Sequence, residues 1–427
     1  MATVTVARQV VGVPLSLLSA LALARLYQPA DVGRFGFLAF LASIPAALGD
    51  LGISAAVVRS RYDPAPDLLA AASRFHVMLA IAALPPVLVA TALIGATITG
   101  DVWLLVLLYV PTMMAGLALP ANVLSARRLD LARVAWVDLG GQVAYAMLLL
   151  GFGLRHLGLT GLVSASALAQ VARLCALCWL YPPILSRAAP FRTFWDAASA
   201  GVPLHFAGLI MTFHANLSSW LGSFLFGPTG VGYLKWSLDI TSRVGVTITH
   251  AVGRVMFPAV ALAQAQPERI GHLVGRGVRY SMLAAGLPLA LMASLVDPAI
   301  GTIFGSRWQP AGSLVRLFAV QMVLAGLVVP LDAAIRVLRP TTFTLTVAAV
   351  YLAAEISGAV LLADTAGPGA IPAAHIIATS VLAAALWRGL HPETRPQAWS
   401  DVGVPAAVLV AAFAAGRALV PLLPPVA

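Results

Sequence analysis

Thirteen apolar runs, each close to the length of a bilayer-crossing helix, fill this chain almost end to end, with short connections between them. A crossing needs roughly 20 apolar residues, because a helix rises about 1.5 Å per residue and the hydrocarbon core is about 30 Å thick. The runs are Val6–Arg25, Gly33–Val58, Phe75–Ile98, Val102–Leu124, Ala135–Leu154, Gly158–Tyr181, Ala200–Phe226, Val231–Phe257, Tyr280–Phe304, Gly312–Val337, Thr342–Leu362, Ala370–Leu390 and Val402–Val420. A segment in lipid must satisfy its backbone internally, so helices are expected throughout and the fold class is all-α.

Composition points the same way. Of 427 residues, 60% are hydrophobic and 10% charged, where a soluble domain carries about 25% charged residues. Too little polar surface exists to coat a water-soluble globule, so the expectation is a polytopic integral membrane protein of about 13 helices, within 12 to 14. The net charge of +10 does not point to nucleic acid, because the arginines form no basic arm. They alternate instead. The even connections hold Arg59, Arg61 and Arg74; Arg127, Arg128 and Arg133; Arg187 and Arg192; Arg269, Arg276 and Arg279; Arg336 and Arg339; Arg388 and Arg395. The odd ones hold Arg155 and Arg307, with Asp31, Asp101 and Asp364. The positive-inside rule places the N-terminus and the even connections in the cytoplasm. The first run imitates a signal peptide, with Ala22–Ala24 as its small-residue site. It is read as an uncleaved first span, which the internal repeat requires. Cys175 and Cys178 lie one helical turn apart in an apolar run, as small apolar residues, and no metal or cofactor is expected.

The repeat has a separation of 199 residues. "LYQPADVGRFGF" (Leu26–Phe37) aligns with "LFGPTGVGYLKW" (Leu225–Trp236), matching Leu26, Pro29, Val32 and Gly33 to Leu225, Pro228, Val231 and Gly232. "RFHVMLAIAALP" (Arg74–Pro85) resembles "RYSMLAAGLP" (Arg279–Pro288). Chance matching of apolar sequence is the alternative, but Pro and Gly at matched outer turns favour a true repeat. Six spans separate the copies, so they share one orientation. Two parallel six-helix lobes with a central cavity follow, residues 1–190 and 191–390, with an additional helix in 391–427. Parallel repeats of this kind place a transport site near mid-membrane.

The same stretches resemble a family. "ALARLYQPADVGRFGFLAFLASIPAALGDLGISAAVVRS" is similar to the opening of the bacterial polysaccharide transporters, the O-antigen and exopolysaccharide flippases of the multidrug/oligosaccharidyl-lipid/polysaccharide exporter superfamily. Arg25, Pro29, Asp31, Gly33, Asp50, Gly52 and Arg59 carry it, and Pro228 and Gly232 stand at the matching turn of the second lobe. "VMFPAVALAQAQPERI" and "IFGSRWQPAGSLVRLFA" extend it, so that it covers roughly residues 8 to 340. The resemblance implies a location in the bacterial inner membrane and translocation of an undecaprenyl-pyrophosphate-linked oligosaccharide from the cytoplasmic to the periplasmic leaflet. The implied partners are that lipid-linked substrate, membrane lipids, and a glycan polymerase and glycosyltransferases of the same pathway.

One span is unusually charged. In "KWSLDITSRVGVTITHAVGR", Lys235, Asp239, Arg243, His250 and Arg254 fall at about 0°, 40°, 80°, 60° and 100° around a helix. They share one face and cover about 28 Å of its length. Lys235 is the chain's only lysine. Lys235 and Arg254 can snorkel to the interfaces, but Arg243 and Asp239 lie too deep for that. Lys235–Asp239 and Asp239–Arg243 are i,i+4 pairs, which leaves a positive surplus that suits a water-filled cavity and a pyrophosphate. On the preceding run His205, Thr212, Asn216, Ser219 and Ser223 fall near one line. Their side chains suit sugar hydroxyls, or equally close helix packing. His214 lies on the far side, as a packing histidine. Asp50 and Glu355 are intramembrane acids, hence candidates for ion coupling. The structural alternatives are pairing of Asp50 with Arg8 or Arg25, and of Glu355 with another helix.

The expected function is therefore a lipid-linked glycan flippase and not an enzyme. A peptidoglycan-precursor flippase shares the pyrophosphate. A cation-coupled drug exporter of the same superfamily calls for acidic rather than basic cavity residues. A membrane glycan polymerase or ligase needs catalytic groups on a long outer loop, and the outer connections are short.

Overall fold

Proline opens several of the helices, because its missing N–H costs nothing where no intrahelical partner exists. Pro29, Pro66 and Pro267 are such first residues. The computed structural model describes residues 2–49, 66–94, 102–127, 130–184, 190–199, 202–339 and 341–419. Its helices are α1 (Ala2–Leu26), α2 (Pro29–Gly49), α3 (Pro66–Ile94), α4 (Val102–Leu117), α5 (Leu119–Arg127), α6 (Leu131–Leu154), α7 (Gly158–Leu180), α8 (Phe191–Ser199), α9 (Val202–Ala215), α10 (Leu217–Leu262), α11 (Pro267–Ala299), α12 (Ala311–Leu338), α13 (Thr341–Ala366), α14 (Ala370–Gly389) and α15 (Val404–Leu419). Among the described residues there is no strand. The fold is all-α, as expected.

Each of the thirteen apolar runs is helical over nearly all of its described residues. By length and composition alone, eight helical stretches among the described residues can cross a membrane. They become nine when α4 and α5, bent by 50° at their junction, count as one span. One of the eight, Thr342–Gly389, contains both α13 and α14. Pro45, Pro111 and Pro330 sit inside helices, as membrane spans tolerate where neighbouring helices and waters satisfy the freed carbonyls.

The chain divides into two compact units, Met1–Asn216 and Leu217–Ala427. In unit 1, α2 packs on α3 and α4, α3 on α4, α4 on α7, and α6 on α7, while α1 lies along α6. In unit 2, α10 packs on α11 and α12, α11 on α12, α12 on α14, and α13 on α14, while α15 lies along α11. Apart from α1 and α15 the two pairing schemes correspond. Lipid is as apolar as leucine, so close packing rather than water exclusion holds such helices together. Gly358 of α13 shows how close: a Cβ there would stand 3.1 Å from the Ala374 methyl of α14. Short α8 is anchored in unit 1 by Phe194, which is buried and stacks against Phe75 with ring centroids 5.1 Å apart.

Candidate functional site

The charged stripe lies on α10, beyond a sharp break. Gly227 takes φ 64° and ψ −179° there, a conformation open essentially only to glycine. Pro228 then starts the helix again with its φ already set. Leu225, Pro228 and Gly232 thus stand at a helix junction, as Leu26, Pro29 and Gly33 do between α1 and α2. At that first junction Tyr27 is buried and donates its hydroxyl to the Leu149 carbonyl at 2.8 Å. Burial, with the Asp31 carboxylate adding to it, pushes the Tyr27 hydroxyl up to about 12. Pro29 and Gly33 are buried too, while Arg25 is exposed.

From Pro228 onward α10 has two faces. One is packed: Ser237 and Thr241 are fully buried, Ser237 donates to the Ala311 carbonyl at 3.2 Å, and Thr241 bonds back to Ser237. Trp236 sits between Phe304 and Trp308, with ring centroids 4.9 and 5.0 Å away. Tyr233 reaches the Arg307 carbonyl at 3.2 Å. Phe304, Arg307 and Trp308 belong to the family-like "IFGSRWQPAG" segment, which forms the turns between α11 and α12. That segment is therefore an aromatic anchor for the first turns of the stripe helix.

The other face carries the charges. Lys235 Nζ lies 2.7 Å from Asp239 Oδ1, with side chains 27% and 40% exposed. Arg243, one turn further, is half-buried with its Nε shielded from solvent. Asp50 lies outside the described residues, and so do the side chains of His250 and Arg254. A half-open row containing a paired lysine and an arginine can bind an anion through charge-assisted hydrogen bonds.

The polar line ahead of the stripe is arranged differently from a single helix. Asn216 occupies the turn between α9 and α10, and its amide folds back onto the Thr212 carbonyl at 2.9 Å. Thr212 and Ser223 also donate to carbonyls one turn back on their own helices. Ser219 is buried, and His205 is half-buried with its ring edge-on to Phe206.

Four further polar groupings appear in the structure, three of them with no signal in the sequence. Arg173 Nε donates to Asp138 at 2.8 Å between α7 and α6. Arg279 binds Asp401 at 2.6 Å. Asp297 of α11 binds both Arg316 of α12, at 2.7 Å, and Arg417 of α15, at 3.0 Å. Glu355 of α13, fully buried, stands 3.7 Å from His375 of α14. Only the last was signalled by the sequence, where Glu355 stood out as an acid in need of a partner on another helix.

The polysaccharide biosynthesis protein family matches residues 22–313 of the chain. No curated protein matches it. Among solved structures, the lipid II flippase MurJ in its inward closed conformation is similar with a TM-score of 0.73, at 9% identity and 98% coverage of both chains. An inward-facing multidrug resistance transporter of the MATE family, in the MOP superfamily, is similar with a TM-score of 0.65 and 16% identity, covering 94% of this chain and 95% of that one. The MATE multidrug transporter DinF-BH gives 0.58 and 17% over 88% and 91%. At these identities the likeness is one of fold.

Proposed function

From the premise that the chain belongs to the polysaccharide biosynthesis protein family, we propose that it is a flippase moving an undecaprenyl-pyrophosphate-linked oligosaccharide from the cytoplasmic to the periplasmic leaflet of a bacterial inner membrane. The family covers more than half of the chain, and the fold is that of transporters. The observation that carries the reading to this cargo is the half-open row of Lys235, Asp239 and Arg243 on α10, in a run that the sequence reads as a span. A charge at a helix centre costs about 2.5–3.5 kcal/mol on insertion scales, so it is kept where it meets water or a counter-charge. Arg243 contacts the pyrophosphate, and its planar fork matches the phosphate oxygens. Asp239 holds Lys235 in the empty protein and releases it to the cargo. His250 and Arg254 draw the anion in from the cytoplasmic side, where the arginine pattern places them. The protein moves its cargo without covalent chemistry. Glycosyltransferases supply the cargo and a polymerase consumes it.

A lipid II flippase is the second reading, favoured by one observation: the solved flippase of that substrate covers 98% of this chain. The drug-exporter reading is disfavoured by the basic sign of the stripe.

The test is surface glycan in a deletion strain complemented with each variant, with protein abundance measured in parallel. Arg243→Gln is expected to abolish surface glycan at normal abundance. Arg243→Lys restores part of it, because a point charge loses the bidentate geometry, and Arg254→Gln is milder. Normal glycan from Arg243→Gln removes the phosphate role. Rescue of a lipid II flippase-depleted strain moves the assignment to the second reading.

A further inference from the structure

The first half of α11 presents one open face. Arg269, His272, Arg276, Arg279 and Tyr280 fall within an arc of about 100° around the helix. All are exposed except Arg279, which is half-buried. Leu287 and Leu291 continue the same line further along α11 and are exposed as well. From its N-terminal end the face passes from guanidiniums through a phenol ring to leucines.

The connection between α14 and α15 borders this face, and two glycines of α11 let it lie close. A Cβ on Gly271 would stand 2.9 Å from the Glu393 carbonyl oxygen and 3.2 Å from that of Arg395, and one on Gly275 would meet the Asp401 carboxylate. Asp401 accepts the Gln397 N–H at 2.8 Å and holds Arg279 at 2.6 Å. Two residues before Asp401, Trp399 is 74% exposed, and Tyr280, next to Arg279, is 65% exposed. Tyrosine and tryptophan rings settle at headgroup level, with one end apolar and the other wet.

The charges on the face do not cancel. Asp401 answers Arg279. Arg269 donates to the Gln266 side chain at 3.3 Å, a neutral acceptor, and Arg276 makes no ion pair among the described residues. Glu268 borders the arc, while Glu393 faces His391 at 3.9 Å. Two guanidiniums against one bordering carboxylate leave a positive surplus. Arginines that only set topology need neither a common line nor aromatic neighbours. Cation, amphipathic ring and apolar side chain in that order match the phosphate, glycerol and acyl chain of a lipid.

We propose that this face binds an anionic phospholipid of the leaflet that the arginine pattern places in the cytoplasm. Arg269 and Arg276 donate charge-assisted hydrogen bonds to the phosphodiester. Tyr280 and Trp399 flank the glycerol, and an acyl chain lies along Leu287 and Leu291. The site lies within unit 2, on a different helix from the charged stripe, and does not rest on the flippase reading.

Native mass spectrometry of the purified full-length protein in neutral detergent, with phosphatidylglycerol or phosphatidylcholine added, tests the site. In the parent the first phosphatidylglycerol is expected to bind more tightly than the first phosphatidylcholine. Arg276→Gln lowers that affinity about 5-fold, and Arg269→Gln with Arg276→Gln about 25-fold, the value of one basic residue each near an anionic surface. Arg276→Lys keeps most of it, because the charge is retained. Arg133→Gln, the same loss of charge from an exposed arginine of unit 1, leaves it unchanged. Equal affinity of the parent for the two lipids overturns the proposal. An equal loss in Arg133→Gln does so too, in favour of diffuse attraction by net charge. Binding of inorganic phosphate that is lost in Arg276→Gln, with phosphatidylglycerol affinity unaltered, assigns the face to a soluble anion and also overturns it. If Arg276→Gln does not fold, Arg269→Gln alone decides, an unaltered affinity counting against the site. The spectra contain no glycan, so failure of the flippase reading in the export assay leaves their outcome standing.

Discussion

Beyond the junctions at Pro29 and Pro228 the two copies of the repeat carry different side chains at matched positions. Lys235, Asp239 and Arg243 of unit 2 correspond to Gly36, Phe40 and Ile44 of unit 1. Yet α2 and α10 keep the same partners, one set being α3 and α4, the other α11 and α12. In unit 1, Gly36 and Phe40 are buried, and Phe40 meets Phe213 edge-on at 5.7 Å. In unit 2 the same face is half open and charged. The packing scheme therefore does not need the charges. They are an addition to one copy of a scaffold that forms without them in the other. The junctions differ too: unit 1 fixes its turn with a buried tyrosine hydrogen bond, and unit 2 with a glycine in a conformation closed to other residues.

The strongest way to break this comparison is to give unit 2 the side chains of unit 1. Lys235→Ala, Asp239→Phe and Arg243→Ile together are expected to leave folding and abundance intact and to abolish surface glycan as Arg243→Gln does, a loss of more than about 10- to 100-fold, the value of one charge-assisted hydrogen bond. Unfolding of that triple variant, read by thermal denaturation in detergent, shows instead that the stripe is structural. Next in size is Gly227→Val, expected to cost about 1–3 kcal/mol by forcing a branched residue to positive φ. The matched Gln28→Val is expected to be near neutral, since Gln28 is exposed and is not among the positive-φ residues. Equal melting shifts for the two contradict the difference between the junctions. The smallest effect belongs to Tyr27→Phe. Loss of its bond to Leu149 is expected to cost about 0.5–1.5 kcal/mol, while Phe226→Tyr at the matched position yields no gain.

Much of the fold was legible in the sequence, because a bilayer leaves few options: apolar runs of crossing length must be helices. The break before the stripe was marked by Gly227 and Pro228, and the Lys235–Asp239 contact by i,i+4 spacing. Features set by the register of one helix against another were not legible. Asp138 and Arg173 are 35 residues apart and Arg279 and Asp401 are 122 apart, and no local period connects them. Arg417, inside the last apolar run, ties α15 to Asp297 of α11, and no local pattern announces that tie. Asn216 read as one member of a continuous polar line and instead marks a helix junction. Periodicity describes the face of one helix and says nothing about which neighbour meets it.

The Asp138–Arg173 contact has an electrical consequence. A unit charge carried through the full membrane voltage exchanges about 2.3 kcal/mol per 100 mV. An ion pair that travels as one body carries no net charge, so Asp138 and Arg173 themselves contribute no gating current while this bridge stays closed.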